Sequence, residues 1–284
     1  MAKRHFQDWA IEKVLFLFAL SAICGLALIA VFIFHEGLSI VFSHGFSGFV
    51  LSTRWGPRQG QFGIFAMIVG SLAVTFGALL IAVPLGLGCA ITLTEFCPQG
   101  PARALKAMIE LLAGIPSVVY GFIGLVVLVP FIRTYIGGPG LSVLAASMVL
   151  GIMILPNIVS ISIDAILAVP NSYREGSIAL GATKWQTVYR VVLRAARSGI
   201  LAAVILGMGR AVGETMAVLM VAGNSVQIPT TITDPVRTLT SNIALEMGYA
   251  AGDHRKALFA TGIVLFVMIM ILNSIATWAS RRRT

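Results

Sequence analysis

Five stretches of the chain contain no Asp, Glu, Lys or Arg: Val14–Phe34, Phe62–Thr94, Leu111–Ile132, Leu141–Ile163 and Ala257–Ser280. The hydrocarbon core of a bilayer is about 30 Å thick, and a helix needs about 20 apolar residues to cross it. Each stretch is long enough. A sixth, Ser198–Gly223, qualifies with two charges inside it, Arg210 and Glu214. The second stretch has 33 residues, roughly 50 Å of helix. It must tilt, bend or project, and Pro84 is the expected bend. Composition agrees: 11% of the residues are charged and 58% hydrophobic, against about 25% charged in a soluble domain. We read an all-α polytopic membrane protein of about six transmembrane helices, a single domain over residues 1–284.

Orientation follows from the basic residues, which collect on the cytoplasmic side. With both termini in the cytoplasm, 13 Lys and Arg fall inside and 6 outside, with Arg210 within a span. The net charge of +9 is then a topology signal and a contact with anionic lipid headgroups. Binding to nucleic acid is not expected. The first apolar run follows Lys3 and Arg4 but is too long for a signal peptide, and no small-residue cleavage site follows it, so it reads as a retained anchor. Three cysteines, Cys24, Cys89 and Cys97, lie in or near spans at spacings that fit no metal site, and read as packing residues.

Two outer segments are sizeable. One is a loop over His35–Gln61 with two histidines; the other is Asn224–Lys256, with a short helix around Ser241–Met247. They are either a surface for an external partner or plain connectors. Within Leu105–Phe131, Gly114 and Pro116 predict a kinked or interrupted helix. Interrupted helices line pathways where freed backbone groups meet water or ligand, although membrane helices also simply tolerate Pro.

The most informative soluble segment is Pro170–Arg197, a cytoplasmic helical hairpin. Ser172-x-x-Glu175 and Thr183-x-x-Gln186 read as capping boxes, and Gly181 between them as a left-handed stop. On the second helix Trp185, Val188 and Val192 form an apolar stripe beside Lys184, Arg190 and Arg194. Such a stripe needs a cover. It folds back on the membrane ends, or it docks into a groove on a soluble partner. A DNA-reading hairpin is the weakest alternative, since the membrane ends leave no room for a duplex.

Charge inside a membrane helix costs at least a few kcal/mol. Arg210 and Glu214 are four apart, in the less favourable order for an intrahelical pair. On a continuous wheel, the side of Arg210 carries Ala203, Gly207, Gly213, Glu214 and Ala217, and the opposite side bulky apolar residues. The charged side should therefore face protein or a narrow pathway. Arg210 is read as attracting an oxyanion in transit, with Glu214 holding or gating it; the alternative is an ion pair that fixes helix register.

The run Glu175-Gly-Ser-Ile-Ala-Leu-Gly181-Ala182-Thr-Lys-Trp185 through Leu193 resembles the EAA loop of ABC importer permeases, with Gly176-Ser177 in place of the usual Ala-Ala and Arg194 where Pro is common. The resemblance implies that Glu175, Gly181, Ala182 and Trp185 couple the chain to an ATPase. Glu110–Leu125 and Gly207–Val218 resemble the phosphate importer permeases, and the whole chain, with Trp55–Pro57 and Leu258–Phe266, resembles their PstC type. That implies the MetI-like fold of type I importers, the bacterial inner membrane, and inorganic phosphate as cargo. The implied partners are a PstA-type permease as heterodimer partner, a PstB-type ATPase dimer that carries the ATP-Mg, and a PstS-type periplasmic phosphate-binding protein.

No Gly-x-x-x-x-Gly-Lys-Ser/Thr loop occurs in the chain, so ATP hydrolysis has to come from another subunit. No HExxH motif or nucleophile–base pair suggests an enzyme. No cofactor and no metal are expected on this chain. The open alternatives are an importer of another oxyanion (molybdate, sulfate or phosphonate), or a passive channel or membrane scaffold.

Overall fold

A computed structural model describes residues 2–281, with side chains described for residues 11–278 other than His44. The terminal basic side chains of the charge count, Lys3, Arg4 and Arg281 to Arg283, therefore lie outside the described residues.

Helix α1, Ala2–His44, is longer than the first apolar stretch. The expected outer loop begins ten residues later than predicted. Packing carries the helix on: a Cβ on Gly37 would lie 2.8 Å from the Ala260 amide nitrogen, so α1 and the last helix meet backbone to backbone. Ile40, one turn further, is buried with Phe49, Phe62 and Met67. A short helix α2, Phe46–Val50, leads to a two-stranded antiparallel pair, β1 (Trp55–Gly56) and β2 (Gln61–Phe62).

Helix α3, Phe65–Ile91, passes Pro84 without interruption and runs on through a π-helical turn, Thr92–Phe96. At about 1.5 Å per residue this exceeds the bilayer core, so one end projects. Helix α4, Gln99–Ala113, is amphipathic and buries none of its residues. The chain then breaks at Gly114–Pro116, as Pro116 predicts, and resumes as α5, Ser117–Ile123, a second π turn and α6, Val129–Tyr135. The third span thus begins beyond Pro116, later than hydropathy alone placed it.

The central helix is α7, Val143–Leu167. Small residues bring α3 against it: a Cβ on Gly86 would lie 2.9 Å from Ile158, and one on Gly151 would lie 3.2 Å from the Ala78 carbonyl. In hydrocarbon no hydrophobic force draws helices together, so close backbone approach and dispersion must do so. The main core joins Val74, Ala78 and Ala82 of α3 to Leu150, Met153 and Ile154 of α7.

The 170–197 hairpin comprises α8 (Asn171–Ala179) and α9 (Lys184–Thr187), with a π turn and a last turn, α10, Leu193–Ala195. A bend of 68° at Ala196 starts α11, Arg197–Gly213. The expected fifth span is not one helix. It stops at Gly213 and resumes as α12, Met216–Val221. An outer helix α13, Leu239–Glu246, lies close to where the sequence predicts one, and α14, Gly252–Arg281, is the last span. Five helices among the described residues are long and apolar enough to cross a membrane. A sixth is counted if the bent pair Lys184–Ala195 and Arg197–Gly213 is taken as one span.

Candidate functional site

Two interrupted helices meet side by side. Helices α5 and α12 touch at Gly121, where a Cβ would lie 2.9 Å from the Ala217 Cα. Each follows a break, one at Gly114–Pro116 and one at Glu214–Thr215. Breaks release backbone groups that water cannot reach in a bilayer, so side chains must satisfy them. The Tyr120 hydroxyl donates to the Leu112 carbonyl at 2.8 Å, bridging the first break. At the second, Thr240 of α13 donates to the Glu214 carbonyl at 2.9 Å. The Glu214 carboxylate accepts from the Ala217 N–H at 3.1 Å.

This overturns the continuous wheel. Glu214 has φ −67° and ψ 133°, an extended conformation, so it cannot sit one helical turn above Arg210. No Arg210–Glu214 ion pair forms among the described residues; the carboxylate holds the start of α12 instead. Arg210 itself is exposed in the last turn of α11. Among the described residues it makes no hydrogen bond or ion pair. The small residues Ala203 and Gly207 are buried, as are Met208 and Val212 of the bulky side, which therefore packs on other helices in part. The buried residues of α11 leave out Arg210, which is exposed four residues before the break at Glu214. A cation in that place can receive an anion.

The hairpin is more ordered than its capping predictions. Helix α8 starts at Asn171 behind Pro170 and has no side-chain cap. The Ser172–Glu175 box is absent, because Pro170 sets the entry early and Ser172 is already inside the helix. The Thr183–Gln186 box is present: Gln186 N–H donates to Thr183 Oγ1 at 3.3 Å, and Thr183 N–H to Gln186 Oε1 at 2.9 Å. Gly181 has φ +84°. Its N–H donates to the Ile178 carbonyl and that of Ala182 to the Ser177 carbonyl, the paired bonds of a Schellman stop.

The apolar stripe divides. The π turn rotates Val188 and Val192 inward, where both are buried, while Trp185 is 59% exposed. Glu175 and Gly181 are exposed and Ala182 is half-buried. Around them Tyr173, Ile178, Leu180 and Tyr189 also face outward, with Leu180 91% exposed. So the hairpin covers part of its apolar surface itself and presents the rest.

Sequence reasoning passed over two further groups. Tyr120 lies within a quoted motif, one turn past Pro116, where a hydroxyl is well placed to serve a freed carbonyl. Glu246 is the other. It accepts from Trp55 Nε1 at 2.9 Å and Arg237 Nη1 at 2.7 Å, and pairs with His254 Nε2 at 2.8 Å. This joins β1, the loop before α13 and the first turn of α14 beside an open cavity of about 680 Å³. The opposite charges of Arg237 and Glu246 within the second outer segment were the available signal.

Residues 82–284 match the family described as "Binding-protein-dependent transport system inner membrane component". A Bacillus subtilis (strain 168) protein described as a probable ABC transporter permease, YqgH, is 44% identical over 93% of this chain and 88% of its own length. The phosphate transport system permease protein PstC of Mesorhizobium japonicum is 39% identical over 89% of this chain and 84% of its own length. Among solved structures, a bacterial ABC transporter for the import of alginate aligns with a TM-score of 0.67 at 19% identity. That alignment covers 98% of this chain and 99% of the other. The MetNI methionine transporter aligns at 0.64 and 21%, over 81% of this chain and 100% of the other. These two show the fold.

Proposed function

Because the chain belongs to the family of binding-protein-dependent transport system inner membrane components, we propose that it is one permease half of an ATP-driven importer of inorganic phosphate. The observation that carries the substrate is Arg210: a cation with no ionic partner among the described residues, in the last turn before the break at Glu214, in a chain whose relatives include PstC phosphate permeases. An intramembrane charge of this kind reads as part of a transport path. Arg210 attracts the oxyanion. Glu214 acts on the path indirectly, by holding the break open.

The permease contributes no chemistry of its own. ATP-Mg is hydrolysed on a PstB-type ATPase dimer docked on the 170–197 hairpin, against Glu175, Gly181, Ala182, Trp185 and their exposed apolar neighbours. A PstA-type permease completes the path on the open side of Arg210. A PstS-type protein delivers phosphate to the outer face built by β1, α13 and the start of α14. Both termini lie in the cytoplasm of a bacterial inner membrane.

The test is phosphate uptake into vesicles containing the assembled complex, with molybdate and sulfate as competitors. ATP-dependent uptake that these anions do not inhibit is the expected result. Arg210→Gln is expected to abolish uptake in a complex that still assembles. Normal uptake by that variant removes Arg210 from the path, and preferential uptake of a competitor reassigns the substrate.

A further inference from the structure

The hairpin must be fastened to the spans if its movement is to reach the pathway, and the structure shows a compact fastening. Helix α8 buries none of its residues, so apolar packing does not hold it. Arg174 does. Its Nη2 donates to Glu95 Oε1 at 2.7 Å and its Nε to the same oxygen at 3.2 Å. Its Nη1 reaches the Val169 carbonyl at 2.7 Å and its Nη2 the Ile166 carbonyl at 3.0 Å. The two side chains are only 18% and 9% exposed. A charge pair sheltered to this degree is short, charge-assisted and little screened.

The next residue grips the other helix of the hairpin. The Phe96 ring lies 6.1 Å from the Trp185 ring, and Lys184 Nζ lies 5.1 Å from the centre of the Phe96 ring. The hairpin is tied within itself by the Ser177–Thr187 hydroxyl pair at 3.0 Å and by the stop at Gly181. One dipeptide therefore holds both helices of one stiff unit. That dipeptide ends the π turn at the foot of α3, and α3 packs backbone-close on α7. Isolated π turns of this kind frequently mark functional positions in helices.

We infer that Glu95 and Phe96 are positioning residues for coupling: they receive displacement of the hairpin and pass it into the α3–α7 pair. This rests on the hairpin being the ATPase dock proposed above. It assigns to α3 a part in energy transfer that its apolar sequence does not suggest.

The experiment measures phosphate transported per ATP hydrolysed, in vesicles bearing the complete complex. Glu95→Gln leaves Arg174 on its two carbonyls, so the hairpin stays folded but its hold on α3 loosens. The expected result is uptake lowered by about tenfold, the scale of the carboxylate charge lost from the pair while the Gln oxygen can still accept, with ATP hydrolysis retained. Phe96→Ala is expected to lower the ratio in the same sense, and Phe96→Tyr, which keeps the ring, to restore it. A ratio unchanged in Glu95→Gln, or uptake and hydrolysis falling in proportion, overturns the inference. If Glu95→Gln does not assemble, the Phe96 pair decides: an unchanged ratio in Phe96→Ala overturns it. Failure of the dock is read separately, as an ATPase subunit that co-purifies equally with Leu180→Asp. Failure of the coupling inference alone leaves co-purification sensitive to Leu180 and the ratio insensitive to Glu95.

Discussion

Asp234 shows how much one side chain can fix in a loop without burial. Its carboxylate accepts from the hydroxyls of Thr231 and Thr230, both at 2.8 Å, and from their backbone N–H groups at 2.9 and 2.7 Å. These donors, the Thr231 hydroxyl first, hold its pKa well below the ordinary carboxylate range. The loop so fixed caps a span, since the free N–H groups of Val143 and Leu144 donate to the Asp234 and Ile232 carbonyls at 3.0 and 2.8 Å. Because the folded-state value is depressed, the contribution is complete above the unfolded value of about 3.9 and is lost only as pH falls through the lower folded value. Hydrogen exchange at Val143 and Leu144, corrected for intrinsic rate, is therefore expected to be the same at pH 5 and pH 8. Asp234→Asn is expected to raise it at both. Equal protection in the variant would detach the carboxylate from the cap. The same residue class does different work at Glu214, where the carboxylate serves one helix start. Sequence separation suggested an ionic partner for Arg210. What excludes it is a backbone torsion, which no spacing rule contains.

At the level of elements, the legible parts are those with a local cause. Pro116 marks its break, Thr183 with Gln186 marks its cap, and Gly181 marks its stop, because each acts on neighbours a few residues away. Position 181 carries a clear prediction. At φ +84° an L side chain costs about 1–2 kcal/mol, so Gly181→Ala should loosen the hairpin while leaving its hydrogen bonds possible. Gly181→Pro should break it, since proline fixes φ near −65° and removes the N–H that reaches Ile178. Limited proteolysis of the 170–197 segment in the assembled complex should rank wild type, Ala and Pro in order of rising cleavage. Uncoupling of ATP hydrolysis from uptake should follow the same order. Uncleaved, coupled Gly181→Pro would refute the role of the turn. The illegible parts have distant causes. The break at Glu214 is completed by Thr240, 26 residues away, and nothing in Gly213-Glu214-Thr215 demands it as proline does. The early start of α8 comes from Pro170 overriding an adjacent Ser172 motif. The π turns, which decide that Val188 points inward and Trp185 outward, leave no mark in apolar periodicity at all.

Across the whole molecule, hydropathy locates the spans well because bilayer thickness acts on every one of them. It says little about which faces remain open. Helix α1 is exposed along most of Ile11–Val31, and α5 exposes Val118, Val119, Phe122 and Ile123. An apolar surface alone is compatible with lipid. The distinction comes from Arg210, exposed in the last turn of α11 just before the break that leads to α12, the helix packed on α5. Facing hydrocarbon, that guanidinium would cost about 3 kcal/mol or more, whereas a second subunit sealing a watered path removes the cost. Ile123 lies three residues from Tyr120 and so on the same face of α5. A photo-crosslinking residue placed at 123 in the assembled transporter is therefore expected to capture the second permease. Capture of lipid alone at this position, in a complex still active in uptake, would mean that the Arg210 face is not the subunit seam and that the path is closed by this chain itself.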